Sequence, residues 1–96
     1  MDYFFKTEEL EEIIEINQNK AKNVLAQMYT ECRKSKRITQ EELAKRAGIS
    51  RTNITRFEGG DYNPSVEMLV KIANAMDMNV NIQLEEIADG EWSSFI

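Results

Sequence analysis

The sequence predicts an all-α fold in which five helices pack as a bundle and one β-strand follows them. Three observations predict it. Apolar residues recur at helical spacing between residues 7 and 76, and four hydroxyl residues stand where helices should begin. In residues 78–85, apolar and polar residues alternate strictly. With 96 residues, 42% of them hydrophobic and a single proline, the chain suits one folded domain.

The first two helices are expected over residues 7–17 and 19–34. Thr7, followed by two glutamates, is typical of a helix start, because carboxylates favour the positive end of the helix dipole. The polar stretch INQNK then interrupts the apolar face. This interruption favours two helices, although the pattern also permits one bent helix.

The next three helices each begin at a recognisable cap. Thr39 and Glu42 form a capping box, and Gly48 provides the left-handed residue that ends this helix. Ser50 caps a helix that stops at a pair of glycines, and Ser65 caps the last helix directly after the only proline. These signals divide the middle of the chain into short helices joined by tight turns.

The composition argues against an enzyme or a metal site. The chain has no histidine, and Cys32 is its single cysteine. Imidazole or thiolate zinc sites and Ser-His or Cys-His catalysis are therefore not expected, and no cofactor is predicted. No apolar run reaches membrane-spanning length and the N-terminus lacks a signal pattern, so we expect a cytoplasmic protein without a membrane partner.

The charges are unevenly distributed. Residues 1–19 carry a net charge of −5, residues 20–60 carry +6, and residues 61–96 carry −6. A basic middle therefore lies between acidic ends, although the whole chain is acidic. A polyanion such as DNA would meet a locally basic face.

The helix expected over residues 51–58 has two different faces. Ile54 and Phe57 point one way, and at about 100° per residue four polar side chains fall in one arc of about 140° on the other side. Arginine can donate two hydrogen bonds to guanine, and threonine offers a hydroxyl and a methyl group. The four candidate base-reading residues are Arg51, Thr52, Thr55 and Arg56. Taken alone, the same arc would also suit a solvated helix face.

The stretch ITQEELAKRAGISRTNITRFEGGDYNPSVEMLVKIANAMDM resembles the helix-turn-helix family of the phage Cro and CI repressors, the Xre family. The resemblance covers about residues 20–78. It implies a lambda-repressor-like bundle of five or so helices that binds double-stranded operator DNA, usually as a dimer. We therefore divide the chain into an acidic segment 1–18, a DNA-binding domain 19–77, and a strand and tail 78–96.

The resemblance also implies roles for individual residues. Arg51, Thr52 and Arg56 match base-reading positions. Thr39 and Gln40 match phosphate contacts at a helix N-terminus, where free N–H groups favour an anion.

Other residues near the motif have expected roles as well. Lys36, Arg37 and Asn53 are predicted to contact DNA phosphates. Arg33 and Glu58 match a pair that forms an internal ion bridge in some family members, and for them a structural role outweighs a role in DNA contact.

The strand is expected to pair with the same strand of a second copy. A single alternating strand leaves unpaired N–H and C=O groups and an apolar face. Antiparallel pairing through Val80, Ile82 and Leu84 would give a homodimer and space two reading helices for a palindromic operator.

A bundle followed by one strand is also similar to antitoxins of the host-inhibition-of-growth (HigA-like) class. That similarity implies autoregulation of an operon and neutralisation of a basic, RNA-cleaving toxin. The main alternative is a prophage or stand-alone repressor without such a partner. The acidic segment also holds large apolar residues, which either pack on the bundle or meet the toxin. The predicted toxin contacts are Phe4, Phe5, Glu9, Glu12, Ile13 and Ile16.

Overall fold

The computed structural model describes the backbone of residues 7–87 and the side chains of residues 11–87. This part of the chain forms four α-helices, which are α1 (Thr7–Ser35), α2 (Gln40–Ala47), α3 (Arg51–Glu58) and α4 (Val66–Ala75). The fold is therefore a small all-helical one. The predicted five helices and terminal strand are both wrong.

One continuous helix replaces the first two predicted helices. α1 runs for 29 residues, which at 1.5 Å per residue makes it about 43 Å long. The polar stretch INQNK does not break it, because asparagine and glutamine each cost only a fraction of a kcal/mol in a helix. The residues that do break helices come later, since the first glycine is Gly48 and the only proline is Pro64.

The C-terminal segment that alternates between apolar and polar residues forms no strand within the described residues. Alternation gives a segment one apolar side, but a strand also requires a neighbour that pairs with its N–H and C=O groups. Residues 79–87 have no such neighbour in the described part of the chain. Val80 packs against the core, whereas Ile82 and Leu84 are 66% and 97% exposed. The strand through which Val80, Ile82 and Leu84 were predicted to pair is therefore absent from the described residues.

The three central helix caps are present as predicted. The hydroxyls of Thr39, Ser50 and Ser65 each accept a hydrogen bond from the backbone N–H three residues later, at 3.0, 3.2 and 3.0 Å. Gly48 ends α2 with φ 68°, a left-handed conformation that favours glycine. These local contacts fix where α2, α3 and α4 begin and where α2 turns into α3.

The core lies between the C-terminal half of α1 and the three short helices. Tyr29 of α1 crosses this core. Its ring lies edge-on to that of Phe57, with 5.2 Å between the two ring centroids. Its hydroxyl donates to the carbonyl oxygen of Leu69 at 3.0 Å. Leu25 and Cys32 pack beside it. The buried residues of the cluster are Ile38, Leu43, Ala44, Ile54, Phe57, Met68, Leu69, Ile72 and Met76.

Candidate nucleic-acid interface

α2, the turn at Gly48 and α3 form a helix-turn-helix. Ile54 and Phe57 anchor α3 in the core, with exposed fractions of 0% and 2%. Burying two large apolar side chains in a helix of eight residues fixes its rotation about its own axis. The opposite face of α3 is thereby held outward.

The outward face of α3 holds the predicted base-reading residues. All four side chains are exposed, and they are Arg51, Thr52, Thr55 and Arg56. Guanidinium and hydroxyl groups on one helix face can donate to and accept from base edges in a groove. The structure thus brings these four residues together on one surface.

Thr55 is hydrogen-bonded to the start of α2. Its hydroxyl donates to Oε1 of Gln40 at 3.1 Å, and Nε2 of Gln40 donates to Oε1 of Glu58 at 3.0 Å. The sequence assigned Thr55 and Gln40 to bases and to phosphate, respectively. In the free protein both belong to one network that ties α2 to α3.

The network continues into an ion pair between α1 and α3. Arg33 donates through Nε and Nη2 to the two carboxylate oxygens of Glu58, at 2.7 and 2.9 Å. Its Nη1 donates to the carbonyl oxygen of Ile38 at 2.8 Å. The two side chains are only 10% and 7% exposed. The pair that the resemblance implied is therefore internal and bidentate in this structure.

Burial and hydrogen bonding act in opposite directions on this pair. Burial raises the pKa of Glu58, but hydrogen bonds from Arg33 and Gln40 and the charge of Arg33 outweigh it, so the net pKa is lowered. The hydrogen bond to Glu58 also raises the pKa of Arg33, against the effect of its own burial. Both groups are consequently charged at neutral pH.

Tyr62, which was not predicted as a site residue from the sequence, contacts one of the predicted base readers. Cζ of Arg56 lies 5.3 Å from the centroid of the Tyr62 ring, within the range of a cation–π contact. Tyr62 lies in the turn after α3 and packs against the core. The available signal was an aromatic residue in the turn DYNP.

The predicted phosphate contacts lie around this face at several positions. Lys36 and Arg37 are exposed in the turn after α1, where Arg37 has φ 58°. Thr39 is exposed at the N-terminus of α2, and its hydroxyl also donates to the Glu42 carboxylate at 3.1 Å. Asn53 is half-buried in the first turn of α3.

The residues predicted to contact a toxin are only partly within the described chain. Phe4, Phe5 and the side chain of Glu9 lie outside it. Glu12 is exposed, Ile13 is 1% exposed, and Ile16 is half-buried. Ile13 is therefore covered, so it offers no surface to a partner in this arrangement.

Residues 7–87 contain no helix with the length and apolar character that a membrane span requires. Within the same residues, no group of three or more cysteine or carboxylate side chains is arranged to hold a metal ion.

Comparison with known proteins identifies the family. The profile described as Helix-turn-helix matches residues 30–83, which is more than half of the chain. The chain belongs to this helix-turn-helix family. The match begins within the C-terminal part of α1 and continues past α4, so it includes all of α2 and α3. No solved structure gives a significant match.

Several curated proteins are similar to this helix-turn-helix chain. An uncharacterised HTH-type transcriptional regulator of Archaeoglobus fulgidus is 46% identical over 52% of this chain and 65% of its own length. The cryptic phage CTXphi transcriptional repressor RstR of Vibrio cholerae is 37% identical over 65% and 51%. The ImmF control region 10 kDa protein of Bacillus phage phi105 is 36% identical over 60% and 64%. The chain thus spans less than two thirds of each of these relatives.

Proposed function

We propose that this protein is a sequence-specific DNA-binding transcription repressor that reads the major groove with the exposed face of α3. The observation that carries the proposal is the division of α3 into an anchored apolar side and an exposed guanidinium and hydroxyl side. A helix held in this way after a tight turn is the arrangement with which helix-turn-helix proteins enter the groove. Relatives named as a transcriptional repressor and as HTH-type regulators support it.

The proposed contacts fall into two classes. Arg51 and Arg56 each present a planar fork that matches N7 and O6 of guanine, so they specify bases. Lys36, Arg37 and the free N–H groups at the start of α2 bind phosphates, which position the protein without reading sequence. The net charge of +6 over residues 20–60 supports this second class.

The experiment compares alanine variants of the two classes on a duplex selected from a random library by the parent protein. Replacing Arg51 or Arg56 should reduce the free energy of DNA binding by about 1–3 kcal/mol and relax the preference at one base pair. Replacing Lys36 or Arg37 should weaken binding to all DNA sequences equally. It should also reduce, by about one, the slope of the logarithm of the binding constant against the logarithm of salt concentration. Lys71→Ala, which removes an exposed cation from α4, is the charge-matched control. Parent-like affinity of both arginine variants would contradict the assignment of α3.

We also propose that the repressor binds as a homodimer. Each copy offers a reading helix of only eight residues, which contacts few base pairs. Two copies on half-sites about 34 Å apart would double the base contacts and favour a palindromic operator. Sedimentation of the protein with the selected duplex should show two copies per duplex. A footprint limited to one half-site would contradict this stoichiometry.

Neutralisation of a basic, RNA-cleaving toxin, with autoregulation of the shared operon, is a second candidate function. It is favoured by the exposed acids Glu11, Glu12 and Glu15 beside Ile14, which is 48% exposed. Acidic and apolar groups together would attract and then hold a basic partner. The main alternative remains a stand-alone or prophage repressor, which the phage relatives support.

Co-expression with a small basic protein encoded beside this gene would distinguish the two. The antitoxin candidate predicts that the parent relieves growth arrest caused by that protein. It also predicts that the full chain with all three glutamates changed to lysine fails to do so while still binding DNA. Undiminished rescue by the lysine variant would contradict a role for the acidic face.

A further inference from the structure

Tyr62 connects the core to the guanidinium of Arg56. Tyr62 packs against the core, and Cζ of Arg56 lies over its ring, 5.3 Å from the centroid. We infer that Tyr62 is a specificity-determining positioning residue, which holds Arg56 in the orientation that reads its base pair. The inference rests on the proposed function, because it assigns to Tyr62 a part in the base contact of Arg56.

The turn after α3 is built to return Tyr62 to this place. The backbone N–H groups of residues 59–61 donate to carbonyl oxygens of α3 at 3.0, 3.1 and 3.3 Å. Gly60 has φ 78°, and a Cβ atom there would lie 2.5 Å from Oδ1 of Asn23 in α1. Glycine adopts this positive φ more readily than other residues, and a larger residue would also have to displace the Asn23 side chain. The ring of Tyr62 is therefore fixed by the backbone as well as by the core.

A stacked guanidinium keeps its hydrogen-bonding edge free. Cζ of Arg56 lies over the Tyr62 ring, 5.3 Å from its centroid, and guanine N7 and O6 would be bound by the in-plane N–H groups of a guanidinium held there. Stacking also restricts a long side chain before DNA arrives, so less conformational freedom is lost on binding. Arg51, on the same helix face, makes no ring contact within the described residues and provides an internal comparison.

The test is a double-mutant cycle between Tyr62 and Arg56, measured on the duplex selected by the parent protein. Tyr62→Leu keeps an apolar side chain against the core and removes the aromatic face. It should weaken binding roughly 3- to 10-fold and relax the preference at the Arg56 base pair, but leave the preference at the Arg51 base pair unchanged. Combined with Arg56→Ala, the same change should reduce the affinity for the duplex by less than about 2-fold, because no guanidinium remains to be held.

Two further variants distinguish the effect of the aromatic ring and of the planar guanidinium from an effect on folding. Tyr62→Phe retains the ring and should bind within about 2-fold of the parent, and Arg56→Lys tests whether charge without a planar group suffices. Thermal unfolding of each variant shows that it is folded at the assay temperature.

The outcomes distinguish this inference from the proposed function. An equal loss from Tyr62→Leu in the parent and in the Arg56→Ala background would overturn the positioning role, because it would show independent action of Tyr62. Parent-like binding by folded Tyr62→Leu would overturn it as well. If Arg56→Ala itself changes neither affinity nor base preference, the assignment of Arg56 as a base reader fails.

Discussion

Replacing Arg33 with methionine should lower the free energy of unfolding by about 3–5 kcal/mol. The change removes three hydrogen bonds, two to Glu58 and one to the carbonyl oxygen of Ile38. Since the two side chains are only 10% and 7% exposed, water replaces the lost partner of the Glu58 carboxylate poorly. The loss is therefore that of an uncompensated buried charge, and it is a large fraction of the 5–15 kcal/mol that stabilises a typical domain.

Urea unfolding at pH 7, followed by circular dichroism, measures this loss. The matched control is the double variant Arg33→Met with Glu58→Leu, which removes both charges. It should recover at least half of the stability, because two apolar side chains leave no buried ion, although Gln40 and Ile38 each lose one hydrogen bond. A loss below about 1 kcal/mol for Arg33→Met, or a double variant as unstable as the summed single changes, would refute the reasoning.

Two other predictions concern the C-terminal end of α3, at Glu58 and at the two glycines that follow it. Because the pKa of folded Glu58 is lowered, its stabilisation is present above the ordinary value of 4.5 and is lost as pH falls below it. Glu58→Gln should therefore flatten the decline in stability below pH 4.5 in acid titrations, and an unchanged slope would contradict this. Gly60→Ala should cost about 1–2 kcal/mol through its positive φ, whereas Gly59→Ala, with φ −76°, should be nearly neutral in thermal unfolding. Equal melting temperatures for the two glycine variants would contradict the second prediction.

The parts of the fold that were predictable from the sequence depend on local contacts. Thr39, Ser50 and Ser65 each satisfy an N–H group only three residues away, so the residue type alone indicates the helix start. Gly48 marks the turn for the same reason, because its backbone conformation disfavours other residues. The buried pair Ile54 and Phe57 follows from helical periodicity.

The parts that were wrong or missed depend on contacts distant in sequence or on contacts that were assumed. The strand prediction for residues 78–85 relied on alternation alone and placed the pairing partner in a second copy, but within the described residues this segment forms no strand. Two helices were favoured because INQNK is polar, although the composition contains no residue that would break a helix there. Tyr62 was missed because its contact with Arg56 depends on how the glycine turn returns the chain, which no periodic pattern reveals.

The ion pair also determines which hydrogen bonds Thr55 has left for DNA. Because Glu58 is ionised, it can only accept, so Gln40 must present Nε2 to it and Oε1 to Thr55. The single O–H of Thr55 is then donated to Gln40, so its oxygen is left only as an acceptor for DNA, beside a methyl group. In the proposed complex Thr55 should therefore favour the amino group of adenine or cytosine, or the methyl of thymine, over the O6 acceptor of guanine.

Selection of binding sites from a random library tests this preference. Thr55→Val, which keeps the shape and removes the hydroxyl, should lose the preference for amino groups while retaining contact with thymine. Glu58→Gln should weaken the same preference without touching DNA, because a neutral amide no longer fixes the orientation of Gln40. A parent protein that selects guanine opposite Thr55 would show that the hydroxyl donates to DNA, and the direction of the Thr55–Gln40 hydrogen bond would then be reversed or broken in the complex.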